Sequence, residues 1–252
     1  QETGTFSQTP GILALMEHLV WDSLTEPQKT FLLYLSSFER VTVQQACYLM
    51  GCDTLPEYAW DVLESTFIRY NQAERYYELH GILGELLAQK REEQGALFER
   101  DCLLRAGDFC RDDGKTAEAL GYYAKIRDYE RMLSLDLSQM TFEIINGVPF
   151  TELARDIVCN CPEDIKKRYV LSMLRIAWGL LTFGMNDEFE ALMDELRAML
   201  DANSQVSTHR SDRNADSQLL GEWLLLSSYR SFPRLDEMTA VLRQAAMLLG
   251  DR

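Results

Sequence analysis

The sequence predicts a mainly α-helical protein with one short β-hairpin in its first third. Three observations predict it. Only six prolines and fourteen glycines punctuate the 252 residues, while Leu, Ala, Glu, Met and Arg, which lose little side-chain freedom in a helix, fill long stretches. Apolar residues recur at helical spacing through most of the chain. That period breaks once, between Phe67 and Leu79, where aromatic and β-prone residues cluster.

Taken in order, residues 1–10 read as a tail or linker, and the chain opens on Gln1 rather than methionine. Gly11–Leu24 carries apolar residues at 12, 13, 15, 16, 19 and 20, the face of a first helix. Thr25 caps a second, with Pro27 in its first turn and Phe31, Leu32 and Leu35 on its inner face. Thr42 caps a third, which Gly51 stops. A fourth spans about Leu55 to Thr66, with Tyr58, Trp60 and Leu63 pointing inward. Phe67–Tyr70 and Arg75–Leu79, joined by the polar Asn71–Glu74, form a hairpin, after which Ile82, Leu83, Leu86 and Leu87 resume a helix. The last three of these helices, the hairpin and the helix after it (helix, helix, helix, hairpin, helix) follow the order of a winged-helix domain, placed at 11–94.

Residues 95–252 read as tetratricopeptide-like helical repeats. Leu103, Ala106, Gly107, Cys110, Ala119, Tyr123 and Ile126 fall on the spacing at which small residues let two antiparallel helices approach, with Gly114-Lys115 as the turn. Later pairs at about 168–201 and 216–249 keep the two-helix rhythm. Phe189, Leu192, Met193, Leu196 and Met199 form one apolar stripe, and Leu235, Met238, Val241, Leu242 and Ala245 another. Asn203–Asp216, rich in Ser, Asn, Asp and Arg, reads as a solvated loop.

The formal charge of −15 opposes binding to a phosphate backbone, because nucleic-acid affinity rests on Lys and Arg neutralising phosphates. No apolar run long enough to cross a bilayer is present, and no signal segment opens the chain. With that, the six cysteines at 47, 52, 102, 110, 159 and 161 are expected as reduced thiols in a cytoplasmic protein. Cys159 and Cys161 lack the further ligands a zinc site needs. Asp112–Thr116 contains Gly-Lys-Thr, but Phe109 stands where a phosphate-binding loop requires glycine, so the segment is read as a corner between helices. Histidines occur only at 18, 80 and 209. No catalytic elbow, zinc helix or dinucleotide turn accompanies them, so no catalytic or metal residue is assigned and the chain is not expected to be an enzyme. His80 stands apart: at the junction of the second hairpin strand and the next helix, its imidazole is positioned to donate a hydrogen bond to an anion.

Two segments carry a resemblance. Leu24-Thr25-Glu26-Pro27-Gln28-Lys29-Thr30-Phe31-Leu32-Leu33 and Tyr77-Glu78-Leu79-His80-Gly81-Ile82-Leu83-Gly84-Glu85-Leu86-Leu87 resemble the MalT-like, large ATP-binding LuxR-family transcriptional regulators. In these the second segment reads Tyr/Phe-x-x-His-Pro-Leu-Phe-x-x-Phe-Leu, and Gly81 here replaces the proline. Asp101–Leu135 resembles the family's first helical repeat, and the likeness runs from about residue 12 to 250. The resemblance implies a central regulatory fragment between an upstream nucleotide-binding domain and a downstream DNA-binding domain. The winged helix would relay nucleotide state, and the helical repeats would bind an inducer or partner protein. It implies ATP and ADP as cofactors of the full-length protein, none in this fragment, and a nucleotide-sensing role for His80 alone. The alternative is a helical-repeat scaffold whose winged helix binds DNA.

Overall fold

A short β-strand that the hydropathy pattern does not announce organises the first part of the chain. In a computed structural model, which describes the backbone of residues 10–138, 144–145, 148–206, 210–232 and 234–250, the chain is mainly helical. It divides into two units, Gln1–Lys115 and Thr116–Arg252.

In the first unit, α1 (Pro10–Leu19) ends well short of residue 24, and a 3₁₀ turn, Trp21–Ser23, follows. Met16 and Trp21 are buried, whereas Ile12, Leu15 and Leu19 face outward. Helix α2 (Glu26–Leu35) starts as predicted: the backbone N–H of Thr25 donates to Gln28 Oε1 at 2.9 Å, and Pro27 sits in the first turn. Strand β1 is only Arg40–Val41. Helix α3 (Val43–Met50) is capped reciprocally by Thr42 and Gln45 and ends at Gly51, whose φ of 65° is the left-handed conformation that favours glycine. Helix α4 (Glu57–Leu63) buries Ala59, Val62 and Leu63. Trp60 was expected inward but is 37% exposed, because it lies one residue past Ala59 and so turns about 100° away from the face that packs.

The hairpin is β2 (Ile68–Asn71) and β3 (Tyr76–Leu79), antiparallel with Tyr70 opposite Tyr77. Its turn is held by Asn71 Oδ1, which accepts from the N–H groups of Ala73 and Glu74, and by Arg75 at φ 56°. Strand β1 pairs with β3, Arg40 opposite Glu78, so the sheet order is β1-β3-β2. Helix α5 (Gly81–Glu93) follows directly and packs Leu83, Leu86 and Leu87 into the same core as Phe31, Leu35, Ala46 and Leu63.

Helix α6 (Ala96–Asp112) also belongs to this unit, packing on α3 and α5, so the boundary expected at 94/95 falls inside it. It ends in the turn at Gly114 (φ 75°), where the N–H of Lys115 donates to Cys110 O at 2.7 Å.

The second unit comprises α7 (Thr116–Lys125), α8 (Tyr129–Ser134), the two-residue strands β4 (Ile144–Ile145) and β5 (Val148–Pro149), then α9 (Phe150–Asn160), α10 (Glu163–Arg168), α11 (Val170–Thr182), α12 (Asn186–Val206), α13 (Arg210–Ser227) and α14 (Leu235–Leu249). Packing is mostly serial: α7 on α8, α11 on α12, α12 on α13, α13 on α14. The predicted stripe on α12 is fully inside, Phe189, Leu192, Met193, Leu196 and Met199 all being buried. On α14 only Ala245 is buried, and Leu235 is 66% exposed.

The stretch read as a solvated loop, 203–216, is instead helical on both sides of residues 207–209, α12 running to Val206 and α13 starting at Arg210. No Gly or Pro occurs from Asn186 to Leu220, and Ser, Asn and Asp each cost only a few tenths of a kcal/mol within a helix. His209 lies outside the described residues. Among the described residues no helix is long and apolar enough to cross a membrane.

Candidate functional site

His80 occupies the N-cap of α5. Its backbone is fixed at both groups: its N–H donates to Phe67 O and its carbonyl accepts from the N–H of Gly84, each at 3.0 Å. The ring is exposed, and Nδ1 accepts from the N–H of Ile82 at 3.4 Å. An accepting Nδ1 assigns the neutral ring's proton to Nε2, so the donor of the imidazole points away from the cap. With Nδ1 taken up by the cap, Nε2–H is the ring donor left to meet an anion, on the side of the ring away from the start of α5.

Gly81 is the first residue of α5, and a Cβ built on it meets nothing within 4 Å. That is the helical position where proline is accommodated. The glycine therefore stands where a His-Pro sequence would also fit. His18, by contrast, is a solvent-facing residue of α1 whose Nδ1 lies 3.3 Å from Asp22 Oδ2.

A set of contacts that sequence reasoning missed fixes α6 to the helices before it. Tyr34 donates to Asp101 at 2.6 Å, and Arg105 donates from Nε to the same carboxylate and from Nη1 to Leu49 O. Tyr48 donates to Asp112 at 2.7 Å and stacks edge-on against Phe109. Burial first, and the bonded carboxylate second, push both phenols up to about 12.

In the second unit a cavity of about 710 Å³ opens beside α8 and the start of α11, lined by Leu135, Asp136, Arg168, Tyr169 and Leu219 among others. Leu137, Ser138 and Arg175 are shared with an adjoining cavity of about 270 Å³ whose walls include Leu174, Trp178, Glu222, Leu225 and Leu226. Two of the cationic groups here are already engaged, Arg168 with Glu130 and Asp164, and Lys167 with Glu163. Hydrogen bonds from the N–H and then the side chain of Ser138, and after them the charge of Arg175, hold Asp136 below the usual carboxylate range. The smaller cavity has mainly apolar walls, the usual lining of a small-molecule pocket, whereas polar and charged residues make up about half of the lining of the larger one. The signal was present in the sequence: Arg175 is the single charge in the otherwise apolar or hydroxyl-bearing α11.

The thiols divide by burial. Cys102 and Cys161 are buried, which pushes them up to about 12 and about 11, the range of unreactive thiols. Cys159 is exposed and its neighbour Cys161 turns inward, and among the described residues no three His, Cys, Asp or Glu side chains are gathered as a metal site requires.

No family model, curated protein or solved structure matches this chain.

Proposed function

We propose that this chain is the central regulatory fragment of a LuxR-type, MalT-like transcriptional regulator, in which a winged helix relays nucleotide state and tetratricopeptide-like repeats receive an inducer or partner protein. The observation that carries the reading is topological. Helix, strand, two helices and a hairpin, with the sheet ordered β1-β3-β2, supports a winged helix, in which His80 would cap the helix that leaves the wing. A small inducer would enter at the α11/α13 cavities around Arg175, whose volumes of about 270 and 710 Å³ support that part of the reading. Nucleotide would be held by an upstream domain, DNA by a downstream one, and the whole would work in the cytoplasm without catalysis by these residues.

The alternative, a winged helix that itself reads DNA, meets an electrostatic obstacle. Helix α4, directly before the wing, exposes Glu57, Asp61 and the following Glu64 around Trp60. Those carboxylates would face the phosphates they must approach.

The test lies in the full-length gene and its product. The gene encodes a phosphate-binding loop upstream and a helix-turn-helix downstream, and in that product His80→Ala weakens ADP binding about tenfold, equivalent to ~1.4 kcal/mol. Either flank missing, or ADP affinity unchanged in the variant, overturns the reading.

A further inference from the structure

We propose that Cys47 and Cys52 form a reversible oxidation site, closing to an intramolecular disulfide when a low-molecular-weight disulfide reaches them. The geometry follows from how α3 ends. With Gly51 left-handed, its N–H donates to Tyr48 O and the N–H of Cys52 donates to Cys47 O, both at 3.0 Å. This closure brings the side chain just past a helix end against the one in its last turn, and here both are cysteines. The Cys52 thiol donates to the Cys47 carbonyl at 3.8 Å, which holds its sulfur over the turn beside Cys47. A 3.0 Å bond between their backbones limits the Cα separation to about 7 Å, at the outer edge of the disulfide window.

Accessibility separates this pair from the other thiols. Cys47 and Cys52 are each half-buried, whereas Cys102, Cys110 and Cys161 are buried and Cys159 is exposed. Burial, then the neighbouring Cys52, push the Cys47 thiol up, which disfavours attack by it. The proposed order therefore starts from Cys52. The Cys52 thiolate attacks the small disulfide, forming a mixed disulfide and releasing one small thiol. Cys47 then displaces the second small thiol, giving the Cys47–Cys52 bond. Two protein thiols lose two electrons, the small disulfide gains them, and the two protons leave on the released thiols. In a reducing compartment the pair rests as thiols and closes on an oxidising excursion.

The position gives the bond a consequence. Tyr48 and Leu49, which lie between the two cysteines, supply the phenol and the carbonyl that bind Asp112 and Arg105 of α6. A covalent clamp over this turn forms where α3 grips α6.

The experiment uses the folded chain carrying Cys159→Ser, incubated with oxidised glutathione at neutral pH and digested with trypsin without reduction. Cleavage after Arg40 and Arg69 leaves both cysteines on one peptide, residues 41–69. That peptide becomes lighter by two hydrogens and loses both iodoacetamide-reactive thiols, and dithiothreitol restores them. Adding Cys47→Ser instead stops the reaction at a glutathione adduct on Cys52. A peptide that stays fully alkylatable, or one that stops at the adduct with Cys47 present, overturns the proposal.

Discussion

The phenol of Tyr34 donates a 2.6 Å hydrogen bond to the carboxylate of Asp101, 67 residues further along the chain. Arg105 binds the same carboxylate and lies over the Tyr34 ring at 4.8 Å, so one acid ties α2 to α6 through a phenol and a guanidinium at once. Removing the hydroxyl leaves the partly buried carboxylate one donor short. Tyr34→Phe is expected to lower stability by about 1.5–3 kcal/mol, the range for a hydrogen bond to a charged group. Urea unfolding followed by far-UV circular dichroism measures it, and an unchanged midpoint rejects the role of the bond.

The same contacts predict an alkaline weakness. Tyr34 and Tyr48 titrate at about 12 in the folded chain against 10.0 for an unperturbed phenol. Below pH 10 both are protonated whether the chain is folded or not, and their contribution is fully present. As pH rises from 10 towards 12, the unfolded chain ionises first and gains the advantage, so the contribution is lost across that window. Wild-type stability is expected to fall more steeply between pH 10 and 12 than that of the Tyr34→Phe/Tyr48→Phe variant. Parallel profiles for the two proteins count against it.

These contacts also show where legibility ends. The caps at Thr42 and Gly51 and the aromatic hairpin were readable because each is decided within a few residues. Helix α6 reads as an ordinary amphipathic helix, and nothing local says that its acids meet Tyr34 and Tyr48, 67 and 64 residues away. Strand β1 escaped because two residues carry no period, and the pairing of Arg40 with Glu78 is set by the fold. The helices around 203–216 are hidden by a polar composition that suits a loop, while the lack of any Gly or Pro is what lets helix form there. At the candidate site, the position of His80 after a strand and before a helix was legible, but the use of its Nδ1 as the cap of α5 was not.

The buried cation of α10 joins α9 to α12. Lys166 is 6% exposed and donates from Nζ to Val158 O at 2.8 Å and to both oxygens of Glu195. It thereby satisfies a carbonyl near the end of α9 while pairing with α12. Lys166→Met fills a similar volume but strands both acceptors. A loss of about 1–3 kcal/mol is expected, at the lower end because Glu195 retains contact with water. Adding Glu195→Met removes the stranded carboxylate and returns part of the loss. A double-mutant cycle in urea measures the coupling, and strictly additive losses reject it.

Close packing of the last two helices rests on one hydrogen atom. A Cβ placed on Gly221 of α13 would come 2.9 Å from Leu249 Cγ and 3.2 Å from Leu248 Cβ, both on α14. The first distance is below any real Cβ contact; Leu249, met at Cγ and at Cδ2 (3.0 Å), can turn aside only in part, and Leu248 Cβ is tied to its backbone, so the close approach of α14 is strained. Gly221→Ala is expected to destabilise the α13–α14 pair by about 1–3 kcal/mol, despite the better helix propensity of alanine. Hydrogen exchange in α14 is the direct measurement: amides there exchange faster in the variant, while those of α11 hold their rates. Leu249→Ala, added to Gly221→Ala, clears the space and slows α14 exchange again. If the double variant exchanges faster than Gly221→Ala alone, the close approach is not what holds the pair together.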